Sequence, residues 1–133
     1  MHCRCYRGCG TLLDAEFRAT FNLTYNTFNN ETEMDTQPFR HAIWFYVQRI
    51  SGIFSDHYDY QEVNLLLAPL GNRALKAYCK AASFNPSVLT REDFLGFGVT
   101  LTPDEKSHAL LIALEARKQA SLLWALRAIG QCQ

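Results

Sequence analysis

The sequence carries no surplus of charge: thirteen Lys and Arg face thirteen Asp and Glu. Attracting a polyanion through the overall field needs a basic excess, and imitating DNA needs an acidic one, so neither class fits. Zero net charge also leaves little repulsion between copies, which permits self-association. No apolar run approaches the ~20 residues that cross a bilayer. Residues 1–10, MHCRCYRGCG, lack the apolar segment of a secretory signal. The expectation is a cytoplasmic protein off the membrane, with its cysteines as thiols. The sequons at Asn22 and Asn30 are then chance occurrences, because the modification requires export.

Familiar catalytic and cofactor signatures are missing as well. There is no Gly-rich phosphate loop, no C-x2-C pair and no internal repeat of fixed period. On this reading the chain is not an enzyme and takes no cofactor.

What is present is apolar and aromatic substance in globular proportion. Hydrophobic residues make up 48% of the 133 and charged residues 20%, with nine Phe, six Tyr and two Trp. That is enough to build one core without staples. Its most informative stretch is the last third. Thr102-Pro103-Asp104-Glu105 combines a capping residue, a first-turn proline and the Glu of a capping box. A helix is predicted from there to Ile129, with Gly130 as its left-handed C-cap.

At 1.5 Å per residue this helix extends roughly 40 Å. A domain of this size is about 35 Å across, so the helix crosses the whole body. Its apolar residues form two faces. Leu111, Leu114, Leu122, Ala125 and Ile129 make one; Ala109, Ile112, Ala113, Ala116, Ala120 and Leu123 make the other. Trp124 and Leu126 widen the apolar arc. A helix apolar on two sides is either central to its domain or serves an interface. If half of one face lacks a cover, roughly 400 Å² of apolar patch meets water, which monomers rarely tolerate.

Upstream, residues 15–25 alternate: Ala15, Phe17, Ala19, Phe21, Leu23 and Tyr25 against Glu16, Arg18, Thr20, Asn22 and Thr24. Period two predicts a half-buried strand. A lone strand needs a partner, for which 98–101 or a second copy are candidates. The alternative is a helix over 12–23 built on Leu12, Leu13, Phe17 and Phe21. Residues 26–36 read as a linker. After Pro38 the rhythm turns helical (Phe39, Ile43, Tyr46, Val47, Ile50) and should stop near Gly52. Further helices are expected at about 60–68, 72–83 and 90–95, with Thr90 as the cap of the last. The predicted fold is mainly α. Four to five helices form a small bundle around the long C-terminal helix, with an extended or single-strand N-terminal arm. The division is 1–35 for the arm and linker and 36–133 for the helical domain.

Three candidate chemistries emerge. Cys3, Cys5 and Cys9 lie beside His2, but zinc wants four ligands from paired knuckles, and oxidisable thiols are the simpler reading. Asp56, His57, Tyr58, Asp59 and Tyr60 form the densest polar cluster; without a nucleophile nearby it reads as a solvated turn. His41 and His108 stand alone on helices and read as surface or edge residues. Pro69-Leu70-Gly71 between two helices, followed by Asn72, Arg73, Lys76 and Lys80, has the outline of a helix-turn-helix. The neutral chain argues against a DNA regulator, so nucleic acid is the alternative rather than the main expectation.

The preferred function is a small non-enzymatic interaction protein: an inhibitor, adaptor or accessory factor. Its partner is another protein or a second copy of the chain. The contacts expected are Trp44, Tyr58, Tyr60 and Trp124, with Phe17, Phe21 and Tyr25 from the arm, because interface energy concentrates on aromatic anchors.

Overall fold

A computed structural model describes residues 8–22, 27–28, 31–33, 35–68, 72–98 and 101–131. Among the described residues six helices appear in chain order: α1 (Cys9–Phe21), α2 (Gln37–Ile50), α3 (Gln61–Leu67), α4 (Asn72–Phe84), α5 (Arg91–Gly96) and α6 (Pro103–Gln131). A 3-10 turn at Pro86–Val88 links α4 to α5. The architecture is the expected helical bundle: α1, α2 and α4 all pack against α6. Two strands of two residues, β1 (Thr27–Phe28) and β2 (Glu31–Thr32), pair antiparallel with Thr27 opposite Thr32. They fall inside the segment read as a linker.

The strand expected at 15–25 is corrected: its described part is helix α1. Phe17 and Phe21 lie two alternations apart, but four residues is also one helical turn. Leu13 completes that stripe, and Leu13 and Phe21 are the buried positions of α1. Ala15 and Ala19, which a strand would bury with them, are exposed. Tertiary contact decides the matter. Phe17 stands edge-on to Trp44 of α2 at 4.6 Å, and Gln119 Nε2 of α6 donates to the Leu13 carbonyl at 2.9 Å. Of the suggested pairing partner, 98–101, only Gly98 and Leu101 are among the described residues, and the Leu101 N–H donates to the Gly98 carbonyl at 2.8 Å. Leu23 and Tyr25 lie outside the described residues.

Caps set the other boundaries. Asp35 Oδ1 accepts from the Gln37 N–H at 3.0 Å at the start of α2. The helix ends where Gly52 adopts φ 87° and the Ile53 N–H returns to the Gln48 carbonyl at 2.9 Å. Thr90 and Asp93 cap α5 reciprocally. Thr102 and Glu105 do the same for α6: the Thr102 N–H donates to Glu105 Oε2 at 2.9 Å and the Glu105 N–H to Thr102 Oγ1 at 3.3 Å. The predicted stop at Gly130 is corrected, since α6 runs through it to Gln131.

The alanine face of α6 turns inward. Ala113, Ala116 and Ala120 are fully buried, with Ala109 and Ile112 beside them. Small side chains let the backbones of neighbouring helices come close. Ile43, Trp44 and Val47 of α2, Val63 and Leu67 of α3, Leu75 and Cys79 of α4, and Phe97 complete the core. One buried cation is held by carbonyls: Lys106 Nζ donates to Phe94 O and Leu95 O at 3.0 and 3.2 Å, tying the start of α6 to α5.

Candidate functional site

With alanine inside, the leucine face of α6 is left outside. Leu111, Leu114, Leu122 and Ile129 keep 47%, 46%, 40% and 50% of their surface exposed. All four lie within one arc, because 111, 114, 122 and 129 recur at helical spacing. The exposed Ala125 continues it. One charge interrupts the arc: Lys118 reaches Glu16 of α1 at 2.7 Å and Glu115 at 3.0 Å. These contacts hold the carboxyl of Glu16 below its usual range, chiefly through the hydrogen bond from Lys118. The leucine face is therefore a greasy strip along the body with a salt-bridged lysine in its middle.

Trp124 lies off this strip, about 120° round the helix from Lys118. Its indole N–H donates to the Ser51 carbonyl at 2.9 Å, and Arg127 covers the ring at 5.4 Å. One edge of the indole is thus committed to the end of α2, while 42% of the residue stays open. The other anticipated anchors do not gather with it. Trp44 and Phe21 are buried core side chains, and Phe17 is half-buried between them. Tyr58 stacks on Phe45 with centroids 4.2 Å apart, and burial pushes its phenol up to about 12. The Tyr60 hydroxyl accepts from the Ser55 N–H at 2.8 Å, with Arg49 over its ring at 4.7 Å. Aromatic residues can anchor an interface or fill a core, and composition alone does not separate the two roles.

Of the two histidines on helices, His108 needs correction. His108 is buried, at 7% exposure, and its Nε2 lies 2.7 Å from the Thr20 carbonyl. A carbonyl only accepts, so Nε2 carries the proton. Arg40 donates from Nη1 to the next carbonyl, Phe21 O, and its guanidinium lies 4.5 Å above the Phe21 ring. Two basic side chains from α6 and α2 therefore close the carbonyl end of α1, where the helix dipole is negative. Burial depresses His108 most; the Thr20 hydrogen bond opposes this and Arg40 adds to it. His41 is half-buried, 4.6 Å from the Phe21 ring, and lowered first by burial, then by Arg40. Nothing in the local sequence shows that two histidines far apart meet one helix end.

The remaining candidates sit apart. Arg73 and Lys80 project from α4, which Asn72 opens, but Lys76 bonds Asn64 Oδ1 and lies over the Tyr46 ring at 5.5 Å. The turn residues 69–71 lie outside the described residues, as do Cys3 and Cys5. Cys9 is a half-buried free thiol at the start of α1. His57 is exposed, its backbone N–H on Ser55 Oγ at 3.4 Å. The same turn borders a cleft of about 450 Å³ between α1, α2 and α6, walled by Phe17, Trp44, Phe45 and Phe54 with Gln48 within.

The whole chain, residues 1–133, matches the family described as PA26 p53-induced protein (sestrin). The chain belongs to the sestrin family. It is 44% identical over 130 residues to a sestrin homolog of Dictyostelium discoideum, covering 98% of this chain and 21% of that protein. A Drosophila melanogaster sestrin homolog is 48% identical over 124 residues, 93% of this chain and 24% of the relative. Human Sestrin-2 is 45% identical over 126 residues, 95% of this chain and 25% of the relative. The chain thus spans between a fifth and a quarter of the length of these sestrins. Among its described residues no helix is long and apolar enough to cross a membrane. No group of three His, Cys, Asp or Glu among them could hold a metal ion.

Proposed function

We propose that this sestrin-family chain is a non-enzymatic docking module whose leucine face on α6 seats against another stretch of protein. The observation that carries the reading is the outward placement of Leu111, Leu114, Leu122 and Ile129 on a helix whose alanine face is already filled. Such a strip is costly to leave in water and easy to cover with an apolar surface. The occupant we assign is further sestrin polypeptide. In the relatives the matching region is 21% to 25% of the protein, so this face there has a large body of covalently joined sequence to pack on. Lys118, centred in the strip, limits indiscriminate sticking and sets register through Glu16 and Glu115.

The test is co-elution of this chain with the part of the Drosophila sestrin homolog outside the matched 124 residues, produced separately. The pair should elute together, and Leu111→Asn with Leu122→Asn should abolish this while leaving the helical circular dichroism intact. A dimer of this chain that excludes the added polypeptide would replace the assigned occupant with a second copy. Failure of the pair to associate, or association indifferent to both substitutions, would overturn the reading.

A further inference from the structure

The cleft between α1, α2 and α6 has no part in that docking reading, yet it is built like a ligand site. Its volume of about 450 Å³ is that of a pocket for a single small molecule. Its walls are the rings of Phe17, Trp44, Phe45 and Phe54. Among them sits Gln48, only 3% exposed, whose Nε2 has no hydrogen-bond partner among the described residues. A buried amide N–H without an acceptor is costly, so the cleft retains an unmet demand for one. Asp56 lines the same cleft and is exposed, which puts a carboxylate on its solvent side.

We propose that this cleft binds a small, flat aromatic amine. Each part of the ligand answers one feature of the site. The aromatic body lies among Trp44, Phe45, Phe17 and Phe54, which favour offset or edge-on stacking. A ring nitrogen or carbonyl accepts from Gln48 Nε2. The protonated amine faces Asp56, held also by the negative ring faces around it. An acid would meet Asp56 as a like charge, and a plain hydrocarbon would leave the Gln48 amide unsatisfied.

Three probes separate these terms, titrated calorimetrically into the full 133-residue chain. The first, 4-(aminomethyl)quinoline, carries ring, acceptor and cation. The second, 1-(aminomethyl)naphthalene, lacks the acceptor; the third, 4-methylquinoline, lacks the cation. The first should bind saturably and more tightly than either of the others. Gln48→Leu should weaken the quinoline amine about tenfold and leave the naphthalene amine unchanged, as expected for one hydrogen bond in a dry site. Phe54→Ala, at an exposed wall residue, should weaken all three without unfolding the chain. Asp56→Asn should weaken only the two amines, and less so at high salt. Absence of saturable binding by the quinoline amine would overturn the proposal. So would binding that ignores both Gln48→Leu and Phe54→Ala, or equal affinity for the quinoline and naphthalene amines.

Discussion

The indole of Trp124 and the backbone of Gly52 meet at the end of α2. A Cβ built on Gly52 would lie 3.0 Å from Trp124 Cζ2, and Gly52 already adopts φ 87°. Both facts favour glycine: the left-handed conformation disfavours any L side chain, and the ring would have to give by a few tenths of an ångström to admit one. Gly52→Ala should therefore destabilise the chain by about 1–2 kcal/mol, lowering Tm by several degrees. Gly96→Ala is the control, because a Cβ there meets nothing within 4 Å. Thermal unfolding of the two variants should show a loss for position 52 and little change for position 96.

His108 makes stability depend on acid. Its folded pKa lies below the ordinary value of 6.5, first because of burial. The unfolded chain therefore takes up a proton as pH falls through 6.5 while the folded chain resists it. The histidine's contribution is present above that pH and lost below it. Half-buried His41 is shifted in the same direction and adds to the slope. Denaturant midpoints measured from pH 7.5 to pH 5 should fall. His108→Gln keeps a donor for the Thr20 carbonyl and removes the titration, so it should flatten the decline.

Cys79 acts at the other end of the scale. Burial pushes its thiol from 9.0 to about 12. Between those values the unfolded chain has lost a proton that the folded chain keeps, so stability falls as pH rises from 9 towards 12. Cys79→Val fills much the same space without an ionising group and should remove most of that slope. Tyr58, also raised to about 12, accounts for a remainder above pH 10. In native protein at neutral pH, Cys79 should resist alkylation until unfolding, whereas half-buried Cys9 reacts earlier.

Much of the architecture is legible in residue order. Thr102 with Glu105 and Thr90 with Asp93 announce helix starts, and both pairs form their reciprocal bonds. The two faces of α6 can also be read in advance, although which of them turns inward cannot. Alanine packs where backbones must close, and that follows from the neighbours rather than from hydrophobicity. Phe17 and Phe21 mislead because period two and period four coincide over a short span. Leu13, already part of the helical alternative over 12–23, is the residue that decides, because its burial makes the stripe helical. The meeting of Arg40 and His108 at the end of α1, and the orphan amide of Gln48 in the cleft, are products of tertiary assembly. No spacing rule contains them. Residue type alone does not tell an interface anchor from a core ring, which is why Trp44, an expected contact, stands in the core.

The central claim is that the leucine strip of α6 is an interface for further sestrin polypeptide, and thiol protection along it is the most direct test. Leu114→Cys and Leu122→Cys place reporters on the strip, and Ser87→Cys places one on an exposed turn away from it. Alkylation rates are read site by site by mass spectrometry, first for the chain alone, then with the remainder of the Drosophila relative. The account predicts slowing by at least about tenfold at 114 and 122, with position 87 unchanged, as desolvation by a packed surface requires. Unaltered rates at 114 and 122, or equal slowing at all three positions, would contradict it.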